Sequence, residues 1–150
     1  MLERLICILI GYVFGLFQTS YIIGKIHKTD IREHGSGNAG TTNALRTFGK
    51  KAGAMTLLGD CLKCVFAIVA VRLIFKEKSS DILPLLSIYA AAGCVLGHNF
   101  PFYLGFRGGK GIAASAGMLL AMDWRVFLIC AVIFIGLVAI TRYVLSLIHI

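Results

Sequence analysis

Charged residues are scarce in this chain of 150 residues: they make up 15% of it, against about 25% in an average soluble domain. So few charges argue against a water-soluble globule with a single core. The hydrophobic fraction of 58% argues equally against a disordered chain, which needs few apolar residues and many charges. A mean hydropathy of +0.85 instead indicates an integral membrane protein, with room for about five membrane segments and no separate soluble domain.

Acidic residues are also few, with seven Asp and Glu against 15 Lys and Arg, so the formal net charge is +8. In a membrane protein this excess indicates cytoplasmic loops, anionic headgroups or an anionic substrate. Nucleic acid is a weaker interpretation, because the basic residues are divided among short loops. Of the five cysteines, Cys61 and Cys64 form a C-x-x-C pair, but no second pair follows. We therefore predict packing roles for the cysteines and no metal site.

Five apolar runs determine the predicted topology, namely residues 5–24, 52–75, 82–97, 112–122 and 126–140. The first has about 20 residues, enough to cross a hydrocarbon core of about 30 Å. The fourth is short, so it is either a re-entrant segment or a short crossing sheltered by its neighbours. We favour the crossing, because small residues in this run suit close helix packing. The sequence therefore predicts an all-α, polytopic bundle of transmembrane helices.

Basic residues in the loops predict the orientation of this bundle. One side of the membrane holds nine of them, namely Lys25, Lys28, Arg32, Arg46, Lys50, Lys51, Arg107, Lys110 and Arg142. The other side holds five, namely Arg4, Arg72, Lys76, Lys78 and Arg125. The positive-inside rule then places the side with nine in the cytoplasm and the N-terminus outside. The two long loops, residues 25–51 and 98–110, fall on this cytoplasmic face.

The first long loop contains three glycines, Gly35, Gly37 and Gly40, that let successive backbone N–H groups turn towards an anion. Side-chain donors accompany them at Ser36, Asn38, Thr41, Thr42, Asn43 and Arg46. A helix is expected to begin near Thr41 and to direct its positive end at the same anion. The glycine spacing fits G-x-G-x-x-G, but no strand precedes it, so a dinucleotide fold is rejected. We interpret the loop as an oxyanion site, with a plain connecting turn as the alternative.

The second long loop places Lys110 among Gly108, Gly109 and Gly111, so no neighbouring side chain blocks its approach to a phosphate. The register of the glycines, and a glycine where a Walker A loop needs Ser or Thr, exclude that motif. Four aromatic residues lie in the same loop, namely Phe100, Phe102, Tyr103 and Phe106. They predict a membrane-interface belt, and an entry for an acyl chain is the less favoured alternative.

Three ionisable side chains near these loops have two interpretations each. His98 is either a general base or a residue that ties the loop to a helix end. We favour the second, with Asn99 in a similar supporting role, because no carboxylate lies close to His98 in sequence. Asp60 and Lys63, three residues apart on one helix face, are either a mutually satisfied pair or a bracket that positions Arg46 or Lys110.

These motifs resemble the bacterial glycerol-3-phosphate acyltransferases that use acyl phosphate, the PlsY family. The resemblance is carried by residues 35–43 with Arg46, by Gly59-Asp60 with Lys63, and by residues 97–101 and 106–111. It implies a multi-pass enzyme of the bacterial inner membrane with a cytoplasmic active site. Such an enzyme moves an acyl group from acyl phosphate to the sn-1 hydroxyl of glycerol 3-phosphate, giving lysophosphatidate and phosphate. No cofactor and no metal is expected.

The resemblance and the loops together assign roles to individual residues. The expected catalytic residues are Ser36, Arg46 and Lys110. The expected phosphate-binding residues are Gly35, Gly37, Asn38, Gly40, Thr41, Asn43, Gly108, Gly109 and Gly111. The expected supporting residues are His98, Asn99, Asp60 and Lys63. A phosphate or organic-anion transporter is the alternative function, but polar loops on one face and the lack of a long repeat favour the enzyme.

The chain departs from the family pattern at several positions. Cys64 stands where the family usually has glycine, Ala114 stands where it usually has threonine, and a third, C-terminal motif with His and Asn is missing. We therefore expect one integral membrane domain over residues 1–150 that is incomplete at its C-terminus. Residues 145–150 are interpreted as a candidate non-native tail, so full activity of this chain is in question.

Overall fold

The computed structural model describes residues 1–78 and 81–141, and helices account for most of this part of the chain. The helices are α1 (Leu2–Gly15), α2 (Thr19–Ile26), α3 (Thr41–Phe48), α4 (Lys50–Ile74), α5 (Ile82–Asn99), α6 (Ile112–Met122) and α7 (Trp124–Thr141). Single turns of 3-10 helix occur at Ile31–Glu33 and Phe102–Leu104. No strand occurs within these two described ranges, so the predicted all-α fold is confirmed. Arg142 and the proposed tail lie outside the described residues.

The helix bounds follow the apolar runs except in the first run. The short fourth run forms α6 over the predicted residues, and α3 begins at Thr41 as predicted. The first run is interrupted after Gly15, and extended backbone at Gln18 separates α1 from α2. An apolar sequence gives no sign of this break, because the carbonyls that it frees are satisfied by side chains from other helices.

Three stretches are long and apolar enough to cross a bilayer: Leu2–Ile26, which includes the break, Ile82–Leu104 and Trp124–Thr141. The described part of the chain is therefore a polytopic membrane protein, as predicted. α6 is shorter than these stretches, and α4 contains Asp60, Lys63 and Arg72 within its length. Crossings by α4 and α6, and an outer N-terminus, stay predictions.

Helices α1 and α5 approach each other closely because glycines line both sides of their interface. Gly11 and Gly15 of α1, and Gly93 and Gly97 of α5, each face a backbone carbonyl of the other helix. A Cβ atom at any of these positions would overlap that carbonyl. Glycines four residues apart on facing helices are typical of close packing in membranes, where contact between backbones replaces a hydrophobic driving force.

Small residues also fill the centre of the bundle, where α4, α5 and α6 meet. This cluster consists of Cys64, Ala67, Ile68, Ala91, Cys94 and Ala114, all fully buried. The predicted packing role is confirmed for the buried cysteines Cys7, Cys64 and Cys94, whereas Cys130 on α7 is exposed. α7 packs against α6 and buries none of its described residues. α4 and α5 are in contact, and the first long loop leads into α4 while the second follows α5.

Candidate functional site

A cavity of about 290 Å³ opens where the two long loops meet the helix ends. Its polar lining includes nine of the predicted site residues, namely Ser36, Asn38, Gly40, Thr41, Asn43, Asp60, His98, Lys110 and Gly111. The loops are also joined directly, because the Ala39 N–H donates to the Gly108 carbonyl at 3.4 Å. Ser36 and Lys110 therefore face a common space, as the sequence predicted for these loops.

Apolar side chains form the other wall of this cavity, and sequence reasoning missed them. They are Leu45, Leu57, Ile112, Ala113 and Phe134, which come from α3, α4, α6 and α7. Each belongs to an apolar helix face that resembles any other in the sequence, so no local signal could have selected these five. The cavity thus combines a polar, anion-attracting side with an apolar side.

Asn43 organises the first loop from a buried position, with 1% of its surface exposed. Its Oδ1 accepts from the Ser36 N–H at 3.0 Å, and its Nδ2 donates to the carbonyls of Ile31 and His34 at 3.0 and 2.9 Å. Both amide hydrogens are therefore used within the loop, so Asn43 shapes the loop and has no donor left for a ligand. Gly35 is required beside it, because its φ is +57° and a Cβ would overlap Asn43 Oδ1.

The N-terminus of α3 opens onto the same cavity. Gly40 precedes the helix. The first N–H groups of any α-helix lack intrahelical partners, and no side chain of the described residues caps them here. Thr41 Oγ1 is buried and has no hydrogen-bond partner within the described residues. A helix N-terminus with free N–H groups and an unused hydroxyl favours an anionic ligand.

Helix α5 holds the second loop through backbone hydrogen bonds. The Gly108 and Gly109 N–H groups donate to the carbonyls of Asn99 and His98, both at 3.0 Å. The His98 carbonyl also accepts from Gln18 Nε2 at 2.7 Å, which connects the end of α5 to the break between α1 and α2. This geometry supports the predicted tie between loop and helix end. It leaves the side chain of Lys110 exposed beside the cavity.

Gly109 is expected to tolerate no side chain, because a Cβ there would overlap His98 Nε2 and crowd the Ala39 carbonyl. Gly109→Ala should displace the imidazole or separate the loops. It should lower kcat/KM for the predicted acyl transfer at least about tenfold. A matched control is Gly136→Ala on α7, since a Cβ added there would meet no atom of the described residues within 4 Å. Equal activity of the two variants, measured at equal amounts of folded protein, would contradict this packing.

Asp60 and Lys63 form an ion pair, which was one of their two interpretations, with Lys63 Nζ 3.0 Å from Asp60 Oδ1 and both side chains almost fully buried. Lys63 Nζ also lies 2.7 Å from His98 Nδ1 and 2.6 Å from the Phe17 carbonyl. The pair therefore contacts His98 and the end of α1. Among the contacts of the described residues, none joins it to Arg46 or Lys110, so the bracket interpretation gains no support.

Arg46 is the predicted catalytic residue that the structure does not bring to the cavity. It lies in the last turn of α3, is exposed and is not part of the lining. Six further predicted residues lie outside the lining of the cavity, namely Gly35, Gly37, Gly108, Gly109, Asn99 and Lys63. The roles assigned to all these residues stay predictions.

Arg32 connects the two loops and was not among the predicted site residues. Its guanidinium pairs with Asp30 at 2.7 Å and donates to the Leu104 carbonyl at 2.7 Å. Hydrogen bonds from Arg32 hold the pKa of the Asp30 carboxyl below its ordinary value. The sequence shows Asp30 and Arg32 two residues apart, but contains no sign that Leu104 lies next to them.

Comparison with known proteins identifies the family. A model of the glycerol-3-phosphate acyltransferase family matches residues 5–149. Glycerol-3-phosphate acyltransferase of Clostridioides difficile is 51% identical over 142 residues, covering 93% of this chain and 69% of that protein. The chain belongs to the glycerol-3-phosphate acyltransferase family. The family predicted from the two loops is therefore confirmed.

Other members of the glycerol-3-phosphate acyltransferase family agree with this assignment. The Bacillus cytotoxicus protein is 47% identical over 138 residues, covering 91% of this chain and 66% of that protein. Two crystal structures of PlsY, an integral membrane glycerol 3-phosphate acyltransferase, have TM-scores of 0.79 and 0.76 at 30% identity. They cover 91% and 90% of this chain, and 66% and 64% of those chains. This chain thus spans about two thirds of the length of its relatives.

Proposed function

We propose that this protein transfers an acyl group from acyl phosphate to the sn-1 hydroxyl of glycerol 3-phosphate, giving lysophosphatidate and phosphate. The observation that carries the proposal is one cavity lined by Ser36, Lys110 and the N-terminus of α3. The two related crystal structures, described as the glycerol 3-phosphate form and the lysophosphatidic acid form of PlsY, support it.

The cavity's two sides suit the two parts of these substrates. Free N–H groups at α3, the Ser36 hydroxyl and the Lys110 ammonium are donors for phosphate oxygens. The apolar wall, which includes Leu57 and Phe134, suits the first carbons of an acyl chain. Arg46 supplies further positive charge on this proposal, although it lies outside the lining.

Acyl transfer in such a site rests on positioning and on charge neutralisation. The sn-1 hydroxyl oxygen bonds to the acyl carbonyl carbon, the bond from that carbon to the phosphate oxygen breaks, and phosphate leaves with the bonding electrons. A phosphate oxygen of the substrates takes the hydroxyl proton. Holding both phosphates in one cavity makes the step effectively intramolecular. Donors around the carbonyl stabilise the developing oxyanion. No nucleophilic side chain, cofactor or metal is needed.

The same proposal places the protein in the bacterial inner membrane as one domain, with its active site in the cytoplasm. The excess of basic residues in the two long loops supports this orientation. Both substrates are anions, and the cytoplasmic face is where the loops that hold Ser36 and Lys110 would meet them.

A reconstituted-liposome assay with labelled glycerol 3-phosphate tests the proposal. Purified protein is given acyl phosphate in one reaction and acyl-CoA in a parallel one, with empty liposomes as the control. We expect labelled lysophosphatidate with acyl phosphate and at most background with acyl-CoA. Uptake of unmodified label into the lumen without lysolipid would instead support the transporter. Turnover with acyl-CoA alone would contradict the proposed donor.

A further inference from the structure

The ammonium of Lys63 is surrounded by hydrogen-bond acceptors from three helices and the break after α1. It lies 2.6 Å from the Phe17 carbonyl, 2.7 Å from His98 Nδ1, 3.0 Å from Asp60 Oδ1 and 3.3 Å from the Gly15 carbonyl. The Lys63 side chain is 4% exposed. A buried charge needs this many partners, because its desolvation is otherwise uncompensated.

The break between α1 and α2 holds Lys63 in this place. Interrupting the helix frees the carbonyls of Gly15, Leu16 and Phe17, and each then accepts a side-chain hydrogen bond. Lys63 Nζ donates to the Gly15 and Phe17 carbonyls, and the Tyr103 hydroxyl donates to the Leu16 carbonyl at 2.6 Å. The C-terminal end of α1 also carries a partial negative charge that favours a cation. The position of the ammonium is therefore set by the backbone as well as by Asp60.

The contact with Lys63 determines which nitrogen of His98 carries the proton. An ammonium has three hydrogens to donate and no lone pair to accept with, so Nδ1 must be the acceptor at 2.7 Å. The imidazole is then neutral, with Nδ1 unprotonated and the single proton on Nε2. The ionisable groups that face the ring are Asp60, whose Oδ1 is 3.8 Å from Nδ1, and Lys63; Lys110 lines the same cavity.

The protonated nitrogen lies on the side of the second loop. Nε2 occupies the space next to Gly109 where a Cβ would be, and His98 lines the cavity with Lys110. An imidazole arranged in this way presents an N–H donor and has no lone pair available for a substrate proton. The geometry therefore favours a donor over the general base, which was the less favoured interpretation of His98.

We propose that Lys63 is a positioning residue that fixes the tautomer and orientation of His98, so that His98 Nε2–H donates a hydrogen bond to a phosphate oxygen of the substrate. The inference rests on the proposed acyl transfer for the identity of the substrate. The link between Lys63 and His98 stands on the geometry alone, and it can be tested without activity.

The first test is ¹⁵N NMR of the histidine side chains in the full chain, reconstituted and without substrate. The His98 signals are assigned from their loss in His98→Gln. We expect Nδ1 to show the shift of a hydrogen-bonded acceptor and Nε2 that of a protonated nitrogen. In the double variant Asp60→Asn/Lys63→Met, which leaves no unpaired charge, the Nδ1 shift should move to that of a free imidazole. Lys51→Met, an exposed lysine on α4, is the matched control.

The second test is a double-mutant cycle, measured by kcat/KM, that asks whether Lys63 acts through His98. The double variant should lower kcat/KM about ten- to hundredfold, the range for a lost hydrogen bond to a charged group. In the His98→Ala background the same two substitutions should change kcat/KM less than about twofold. His98→Gln, whose amide keeps a donor, should retain more activity than His98→Ala.

Each outcome decides the proposal. An unchanged Nδ1 signal in the double variant, or a protonated Nδ1 in the unmodified protein, overturns the link between Lys63 and His98. Equal kinetic losses in both backgrounds would show that Lys63 has only a general structural role. Should the unmodified chain transfer no acyl group, the proposed function fails while the NMR result still decides the positioning role.

Discussion

Replacing Lys110 with methionine is expected to lower kcat/KM for acyl transfer at least about a hundredfold and to leave the fold intact. Lys110 is exposed and packs in no core cluster, so its loss should not destabilise the protein. It faces the cavity among glycines, where its ammonium would offset the negative charge of two phosphates. Removing one preorganised charged donor from such a site typically costs two to three orders of magnitude in rate.

The measurement compares initial rates of lysophosphatidate formation for purified Lys110→Met and unmodified protein at matched amounts of monodisperse sample. Lys51→Met is the control, because it removes an equal charge from an exposed position outside the cavity lining. An equal loss of initial rate in both variants would mean that net positive charge at this face attracts the substrates. Full turnover in Lys110→Met would remove Lys110 from the mechanism.

Replacing Gly93 with leucine is expected to separate α1 from α5 and to prevent stable folding. A Cβ at Gly93 would overlap the Ile8 carbonyl, which is backbone and cannot rotate away as a side chain could. Overpacking costs about 1–3 kcal/mol even where side chains can adjust. A larger loss is expected here, since Gly11, Gly15 and Gly97 depend on the same close approach.

Thermal denaturation of detergent-purified protein, followed by size-exclusion chromatography, measures this loss. Gly136→Leu is the matched control, because a Cβ added at position 136 on α7 would have no atom within 4 Å in the part of the chain that the structure describes. We expect Gly136→Leu to remain monodisperse at temperatures where Gly93→Leu has aggregated. Equal midpoint temperatures of thermal denaturation for the two variants would show that contact between α1 and α5 contributes little to stability.

The site illustrates why some residues were predictable and others were not. Thr41 as a helix start, and the glycines around Ser36 and Lys110, were recognisable because turn chemistry is local. The pairing of Asp60 with Lys63 was one of two interpretations that their helical spacing allowed. The contact of Lys63 with His98 did not follow from spacing, since it joins α4 to α5 across 35 positions of sequence.

The partners of the Asn43 amide were also not visible in the sequence, for a similar reason. The residue type of Asn43 indicated a free amide donor beside an anion. In the folded chain the carbonyls of Ile31 and His34 take both amide hydrogens. A side chain's donors can be assigned to a ligand only after the backbone around it is known, because buried polar groups of the protein are satisfied first.

Composition and long apolar runs alone determined that this protein is a helical membrane protein, because a bilayer accepts few charges and only internally hydrogen-bonded backbone. Local turn chemistry predicted that its two glycine-rich loops bind anions. Only the tertiary structure decided that α1 breaks after Gly15, that Lys63 occupies the break, and that an apolar wall completes the cavity. These features depend on atoms brought together from distant parts of the chain, and no short stretch of sequence records such contacts.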